Sequence, residues 1–201
     1  DTGYFDVSLI LTSSNGCTDQ VYAPNRVHVK WNPLPVANIS QDTGCMPLNL
    51  SLNTTYYSNT LYSWNLGNGI TKTGSTVYYN YPDSGIFPLT LTVAYSNGCQ
   101  RQINAGPVVV HPRPVFVFWM TNHTGCAPLN VQCVNQPNGN YTWLWDFGDG
   151  TTSTQQVPSH IYTSQGVYSV NLTGTSVNGC TYSYTQSLKI NVFSPNASFS
   201  T

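Results

Sequence analysis

The feature that most constrains this chain is an internal repeat with a spacing of 81 or 82 residues. Segment 85–99 is matched by segment 166–180, and both end in Asn-Gly-Cys. Segment 3–17 has the same pattern and the same ending. Self-similarity at a fixed period indicates that one small structural unit recurs along a chain. The sequence therefore predicts an array of modules.

Two further landmarks recur at the same interval. Segment 43–48 reads Thr-Gly-Cys-Met-Pro-Leu and segment 124–129 reads Thr-Gly-Cys-Ala-Pro-Leu. Segments 64–69 and 145–150 share the pattern Trp-Asx-x-Gly-Asx-Gly, in which Asx is Asn or Asp. The landmarks predict the tail of one module, two whole modules and the first strand of another, at residues 1–32, 33–111, 112–194 and 195–201. We therefore expect the chain to belong to a longer array.

Alternating apolar residues predict that each module consists of strands. Leu48, Leu50 and Leu52 alternate with polar residues, which is the pattern of a half-buried strand. Several such strands with one buried tryptophan on the third indicate an all-β, immunoglobulin-like sandwich of about seven strands. The residues that we expect in the two cores include Trp64, Leu66, Trp145 and Phe147.

The composition excludes several classes of function. Only 6% of the residues are charged and the net charge is −1, so the chain has no basic surface for nucleic acid or anionic lipid. No apolar run approaches the roughly 18 residues of a membrane span. An aromatic content of 13% argues against disorder. We expect an ordered protein without a membrane span.

Three segments of the second module closely resemble the signature of the polycystic-kidney-disease (PKD) family. Residues 145–153 read Trp-Asp-Phe-Gly-Asp-Gly-Thr-Thr-Ser, residues 158–162 read Pro-Ser-His-Ile-Tyr, and residues 166–172 read Gly-Val-Tyr-Ser-Val-Asn-Leu. The flanking Gly-Cys-x-Pro-Leu and Asn-Gly-Cys elements are similar to PKD arrays in large secreted proteins of gliding, Bacteroidetes-type bacteria. The resemblance implies an extracellular location and a spacer, adhesion or carbohydrate-contacting role.

The signature turn offers two interpretations. Asp146 and Asp149 could hold calcium, but the first module has Asn65 and Asn68 there, and calcium requires six or more oxygen ligands. Both residue types can instead cap backbone amides of the turn, which is the interpretation we favour. His160, which Tyr79 replaces one module earlier, is expected to make a structural hydrogen bond. No catalytic residues or cofactor are predicted, with calcium as the weaker alternative.

The cysteine positions predict a disulfide between modules. Strands that alternate in direction put Cys45 and Cys99 at opposite ends of one module, about 25 Å apart. A disulfide needs Cα atoms within about 7 Å. In a head-to-tail array, however, Cys45 would meet Cys180 of the next module. The simpler alternative pairs Cys45 with Cys99 and Cys126 with Cys180.

Under the favoured pairing, three cysteines would find partners in modules outside this chain. These are Cys17, Cys99 and Cys126. Cys133 is in phase with the buried positions of its strand and is expected to be a free thiol in the core.

Two functions are consistent with these observations. The first is a stiff structural or adhesive stalk of a large cell-surface adhesin or filament. The second is a spacer or carbohydrate-binding accessory module of a secreted enzyme that degrades polysaccharide or protein. Partners would be neighbouring modules, like chains in a filament, or surface glycans stacked on exposed aromatic residues, for which the candidates are Trp31, Tyr56, Tyr57 and Trp119.

Overall fold

The structure is a computed structural model that describes residues 2–137 and 139–194. Within these residues it contains twenty β-strands and no helix, so the predicted all-β class is confirmed. No helix in the described part of the chain is long and apolar enough to cross a membrane. The predicted strand at 195–201 lies outside the described residues.

A hairpin of β1 (Gly3–Thr12) and β2 (Thr18–Val29) precedes the first sandwich. One sheet of this sandwich has the strand order β3-β5-β8, and the other has the order β4-β10-β9-β6-β7. The eight strands are β3 (Ala37–Ile39), β4 (Thr43–Cys45), β5 (Leu48–Thr54), β6 (Thr60–Asn65), β7 (Thr71–Thr73), β8 (Thr76–Tyr81), β9 (Gly85–Tyr95) and β10 (Gln100–His111).

The second sandwich repeats this arrangement, but its last two long strands are each interrupted. Strands β17 and β18 correspond to β9, and β19 and β20 correspond to β10. The sheets have the orders β11-β13-β16, β15-β14-β18-β19 and β12-β20-β17. The ten strands are β11 (Phe116–Met120), β12 (Thr124–Cys126), β13 (Leu129–Pro137), β14 (Tyr141–Asp146), β15 (Thr152–Ser153), β16 (Ser159–Tyr162), β17 (Gly166–Tyr168), β18 (Asn171–Ser176), β19 (Thr181–Thr185) and β20 (Ile190–Phe193).

Each sandwich has its own apolar core. In β5 and β13 every second side chain is buried, because successive strand residues point to opposite faces of a sheet. Trp64 and Trp145 are fully buried at the centres of the two cores, and Leu66 and Phe147 are buried beside them. Two separate cores are the physical basis for treating the sandwiches as two modules.

A buried tyrosine closes each core with a hydrogen bond. The Tyr81 hydroxyl donates to the Leu66 carbonyl at 2.7 Å, and the Tyr162 hydroxyl donates to the Phe147 carbonyl at 2.8 Å. Burial raises the pKa of Tyr81 to about 12, so its hydroxyl keeps its proton. These bonds anchor the strand that carries each tyrosine to the end of the strand that carries the core tryptophan.

The β1–β2 hairpin has the sequence pattern of the last hairpin of a sandwich, but its apolar residues are exposed. Leu91 and Val93 of the first sandwich are 0% exposed, whereas Leu9 and Leu11, which occupy the same positions of the repeat, are each 57% exposed. Within the described chain, nothing covers this apolar surface.

We expect replacement of Tyr162 by Phe to destabilise the second sandwich by about 1–2 kcal/mol. The substitution keeps the packed ring but leaves the buried Phe147 carbonyl without its hydroxyl donor. Urea unfolding of the second sandwich measures this loss.

The matched control is Tyr168→Phe, because the Tyr168 hydroxyl donates to the Ser164 carbonyl at a solvent-exposed site. Its expected cost is below about 0.5 kcal/mol. Equal costs for the two substitutions would contradict a special role for the buried bond.

Candidate functional site at the junction of the sandwiches

The candidate site is built where the first sandwich ends. Strand β4 runs parallel to the last residues of β10, so that Cys45 lies opposite His111. The Met46 amide donates to the His111 carbonyl at 2.9 Å and fixes this register. Because β11 begins at Phe116, the pairing holds Cys45 beside the short segment that leads into the second sandwich.

Close packing explains why a glycine precedes this cysteine. A Cβ atom on Gly44 would lie 2.4 Å from a methyl carbon of Leu48, which is a core residue. Gly125 has the same relationship to Leu129, at 2.8 Å. Any larger residue would displace the core leucine, so the Gly-Cys pair can lie this close to the core only with glycine.

The second half of the site is the turn between β18 and β19. The Ser176 amide donates to the Cys180 carbonyl at 2.8 Å, and the Gly179 amide donates to the Ser176 carbonyl at 2.9 Å. Gly179 has a φ of 78°, which favours glycine. The turn places Cys180 at the hairpin end of the second sandwich.

A disulfide joins these two halves. Cys45 and Cys180 have an S–S distance of 2.06 Å and a Cα–Cα distance of 5.5 Å, across a sequence separation of 135 residues. The structure therefore contains the inter-module pairing and not the alternative pairing of Cys45 with Cys99. The bond connects the end of the first sandwich directly to the hairpin end of the second.

Equivalent cysteines that lack a junction have a different environment. Cys180 is fully buried, whereas Cys99 at the same hairpin position is exposed. Cys45 is partly buried, whereas Cys126 at the same turn is exposed. Contact between the modules therefore covers both sulfur atoms of the disulfide.

The other cysteines are unpaired in the described chain. Cys17, like Cys99 and Cys126, is exposed, and its predicted partner outside this chain remains a prediction. Cys133 is fully buried, and burial raises the pKa of its thiol to about 11.

The hairpin end of the first sandwich also contacts the segment that precedes it. The Tyr95 hydroxyl donates to the Pro33 carbonyl at 2.5 Å, and the side-chain amide of Asn97 donates to the Asn32 side chain at 3.0 Å. The end that carries Cys99 therefore faces the incoming chain, as expected in a head-to-tail arrangement.

The acidic turn of the second sandwich is held by its own side chains. Asp146 accepts a hydrogen bond from the Gly148 amide at 2.9 Å, and Asp149 accepts one from the Thr151 amide at 3.0 Å. The equivalent asparagines in the first sandwich make the same two bonds, since Asn65 accepts from Gly67 at 2.9 Å and Asn68 from Ile70 at 3.2 Å. Capping of the turn therefore requires the side-chain oxygen and not the charge.

His160 completes this turn as a structural partner. Its Nε2 lies 2.7 Å from Asp149, and its ring stacks on Phe147 with the centroids 4.2 Å apart. Partial burial opposes ionisation of Asp149, but hydrogen bonds from Thr151 and His160 outweigh it and lower the pKa of the carboxyl group. In the described residues, no three His, Cys, Asp or Glu side chains form a cluster that could hold a metal.

The candidate aromatic residues for glycan contact differ in exposure. Trp31, Tyr56 and Trp119 are exposed. Tyr57 is partly buried, and its backbone amide donates to the Tyr62 hydroxyl at 2.6 Å. Binding of a glycan to these residues remains a prediction.

Three features of the site were missed by the sequence analysis. These are the parallel pairing of Cys45 with His111, the packing role of Gly44, and the bonds from Tyr81 and Tyr162 to the core. Recurrence of Thr-Gly-Cys-x-Pro-Leu in both modules was the signal for the first two. Recurrence of Tyr81 at Tyr162, one repeat later, was the signal for the third.

The fold and the junction define a class of protein, namely a chain of tandem immunoglobulin-like β-sandwiches. The family model described as PKD domain matches residues 32–110 and 112–192. The chain therefore belongs to the PKD family, and the resemblance noted from the signature is confirmed.

Relatives of this chain include two bacterial proteins. A microbial collagenase of Vibrio alginolyticus is 48% identical over 61 residues, which cover 30% of this chain and 8% of the relative. The pre-pro-metalloprotease PrtV of Vibrio cholerae is 38% identical over 74 residues, which cover 36% of this chain and 8% of the relative. This chain thus matches only a small part of either protein.

Similar solved structures include a Ca²⁺-stabilised adhesin with which an Antarctic bacterium binds ice. It is 14% identical, covers 98% of this chain and 58% of its own length, and gives a TM-score of 0.42. Fibronectin(III)-like modules of Clostridium thermocellum CbhA are 11% identical, cover 80% of this chain and 95% of their own, and give a TM-score of 0.40.

We expect alkylation of the native, unreduced protein to separate the four free thiols. Iodoacetamide at pH 8 should modify Cys17, Cys99 and Cys126 and spare Cys133 until the protein is unfolded. Cys133 is buried, and with its pKa near 11 only about one thiol in a thousand would be ionised at pH 8.

Mass spectrometry of the digested protein measures the modification at each cysteine. Labelling in denaturant provides the control, since all four thiols should then react. Labelling of Cys133 in the native protein at the rate of Cys99 would contradict its burial.

A double-mutant cycle tests the Asp149–His160 pair. We expect Asp149→Asn and His160→Tyr to cost about 0.5–1 kcal/mol each, since the pair is partly exposed. The double substitution should cost less than the sum, because the first sandwich contains Asn68 and Tyr79 bonded at 2.9 Å in these positions. Urea unfolding of the four proteins gives the coupling free energy, and strict additivity would contradict the pairing.

The same pair predicts a dependence on acidity. The lowered pKa of Asp149 means that its carboxylate stabilises the fold at neutral pH. This stabilisation begins to be lost as the pH falls below about 3.9, the unfolded value, and is gone below the folded pKa. Asp149→Asn should therefore narrow the difference in unfolding free energy between pH 7 and pH 2.5, and an unchanged difference would contradict the assignment.

Proposed function

We propose that this chain is a stiff structural segment of a large extracellular protein, with its modules joined end to end by disulfides. The observation that carries the proposal is the Cys45–Cys180 bond between the two sandwiches. Interfaces between domains of one chain are usually small and allow relative motion. A covalent bond beside the connecting segment restricts that motion.

The repeat of the bonded positions supports a longer array. Cys126 occupies the turn that corresponds to Cys45, and Cys99 occupies the hairpin that corresponds to Cys180. Both are exposed and unpaired in the described chain. Each is therefore placed to form the same bond with a further module, Cys99 with a preceding one and Cys126 with a following one.

The exposed face of the β1–β2 hairpin supports the same proposal. Leu9 and Leu11 correspond to residues that are fully buried in the first sandwich. We propose that preceding strands of the same chain cover this face and complete a third sandwich. The hairpin also has the Asn-Gly-Cys turn, whose cysteine, Cys17, would bond to the module before it.

The chemistry of the junction supports an extracellular location. Disulfides persist in oxidising compartments and are rare in the reducing cytosol. A surface with 6% charged residues relies on neutral hydrogen-bonding groups for solvation. A stalk of a cell-surface adhesin or filament combines these properties with stiffness, and it requires no catalytic group in the modules.

The alternative is an accessory segment of a secreted degradative enzyme. Two relatives, the collagenase and the metalloprotease PrtV, favour this alternative. In that setting the modules would space or position a catalytic domain located elsewhere in the protein. A gene product with many further modules would support the stalk, and one with a catalytic domain would support the alternative.

The stiffness of the junction can be measured by electron-electron double resonance. Spin labels introduced as unnatural amino acids at Tyr78 and Val167 report on the two sandwiches, since both positions are highly exposed. We expect one narrow distance distribution for the native protein. Cys45→Ser should broaden it roughly twofold or more, because an unlinked junction permits domain motion.

Cys126→Ser is the matched control, because it removes the equivalent cysteine where no bond forms in the described chain. It should leave the distribution unchanged. A distribution for Cys45→Ser as narrow as that of the native protein would contradict a role of the disulfide in stiffness.

A further inference from the structure

The order of the bonded cysteines along the chain has a mechanical consequence. Cys45 lies near the start of the first sandwich and Cys180 near the end of the second, so their bond encloses 46–179 in one covalent loop. The loop includes the segment that connects the sandwiches and most strands of both modules.

Tension applied to the two ends of the chain therefore has a covalent path around the modules. From the N-terminal side the force reaches Cys45, crosses the disulfide to Cys180 and continues to the C-terminal side. Strands inside the loop may separate, but they cannot lengthen the chain. We infer that the junction disulfide acts as an extension limiter, a function that rests on the disulfide-linked array proposed above.

The lengths involved are large. A fully extended chain gains at most about 3.6 Å per residue, so the enclosed segment would add roughly 480 Å if it could be pulled out. The Cα atoms of Cys45 and Cys180, in contrast, are 5.5 Å apart. The bond thus removes nearly all the extension that unfolding of both sandwiches could supply.

The repeat would make the loops of an array overlap. Cys126 lies inside the loop closed by Cys45 and Cys180, and its partner would lie 81 residues beyond Cys180. Cys99 also lies inside the loop, and its partner would lie before Cys45. Neighbouring loops then interlock along the chain, and every interior segment belongs to at least one of them.

Overlap sets a limit on the stretching of a whole array. The counterpart of Cys126 one repeat later falls 27 residues beyond Cys180, and it begins the next bridging disulfide. Only these 27 residues are extensible per two modules, which gives about 95 Å against about 580 Å for two modules without bonds. The array would stretch to about one-sixth of the length of its unbonded chain, even with every sandwich unfolded.

Single-molecule pulling of this chain tests the inference. Peptide tags at both termini attach the protein to the instrument, and the free thiols are blocked with iodoacetamide beforehand. Without reductant we expect no unfolding step as long as a whole module, which would be about 290 Å. With reductant, two steps of about that size should appear.

Two variants make the result specific. Cys45→Ser should show the two long steps without reductant, and Cys126→Ser should behave as the native chain. Long steps in the unreduced native chain, or unchanged traces after reduction, would overturn the inference.

The outcome is separable from that of the stiffness measurement. A narrow distance distribution together with long unreduced steps would leave the stiff segment standing and reject the limiter. A broad distribution together with the absence of long steps would reject stiffness and support the limiter. In the longer native protein, the maximum extension without reductant should stay below one-quarter of that after reduction, and a larger fraction would overturn the interlocking loops.

Discussion

The arrangement of the two sandwiches depends on where the backbone holds Cys45. A strand of only three residues, Thr43–Cys45, runs parallel to the end of β10 and thereby reaches the point where the chain leaves the first sandwich. Gly44 permits this position because a side chain there would collide with Leu48. The disulfide is thus a consequence of core packing, since the same leucine that fills the sandwich positions the cysteine at its end.

The two modules show which parts of the PKD signature are structural. The Asp-to-Asn replacements at the turn preserve every capping bond, and the His-to-Tyr replacement preserves a partner for the turn residue, as Asn68 and Tyr79 show. Such exchange is compatible with a role in shape and not with a role that needs a charge. What remains common to both modules is the core tryptophan, the buried tyrosine and the Gly-Cys turn.

The sequence was most informative where the repeat placed the same residues in two copies. Alternation predicted the strands and the burial of Trp64 and Trp145, and strand direction was enough to favour a bond between Cys45 and Cys180. The sequence could not show the parallel pairing of Thr43–Cys45, because three residues give no periodicity. It also could not show that β9 and β10 are continuous while their counterparts in the second sandwich are interrupted, since both copies share one apolar pattern.

The contrast between linked and unlinked cysteines extends the account beyond one bond. Cys99 and Cys126 have the same local backbone as Cys180 and Cys45, yet they are exposed, which shows that the module alone presents its cysteines and that a neighbour covers them. A module built in this way can be added at either end without any change to its interior. This property suits a long repeating segment.

The central claim is that the modules are joined across their junction and not closed within themselves. Peptide mapping of the unreduced protein tests it most directly, since proteolysis followed by mass spectrometry identifies each linked pair. The account predicts a linked pair that contains Cys45 and Cys180 and that disappears on reduction. A linked pair that contains Cys45 and Cys99 would contradict it.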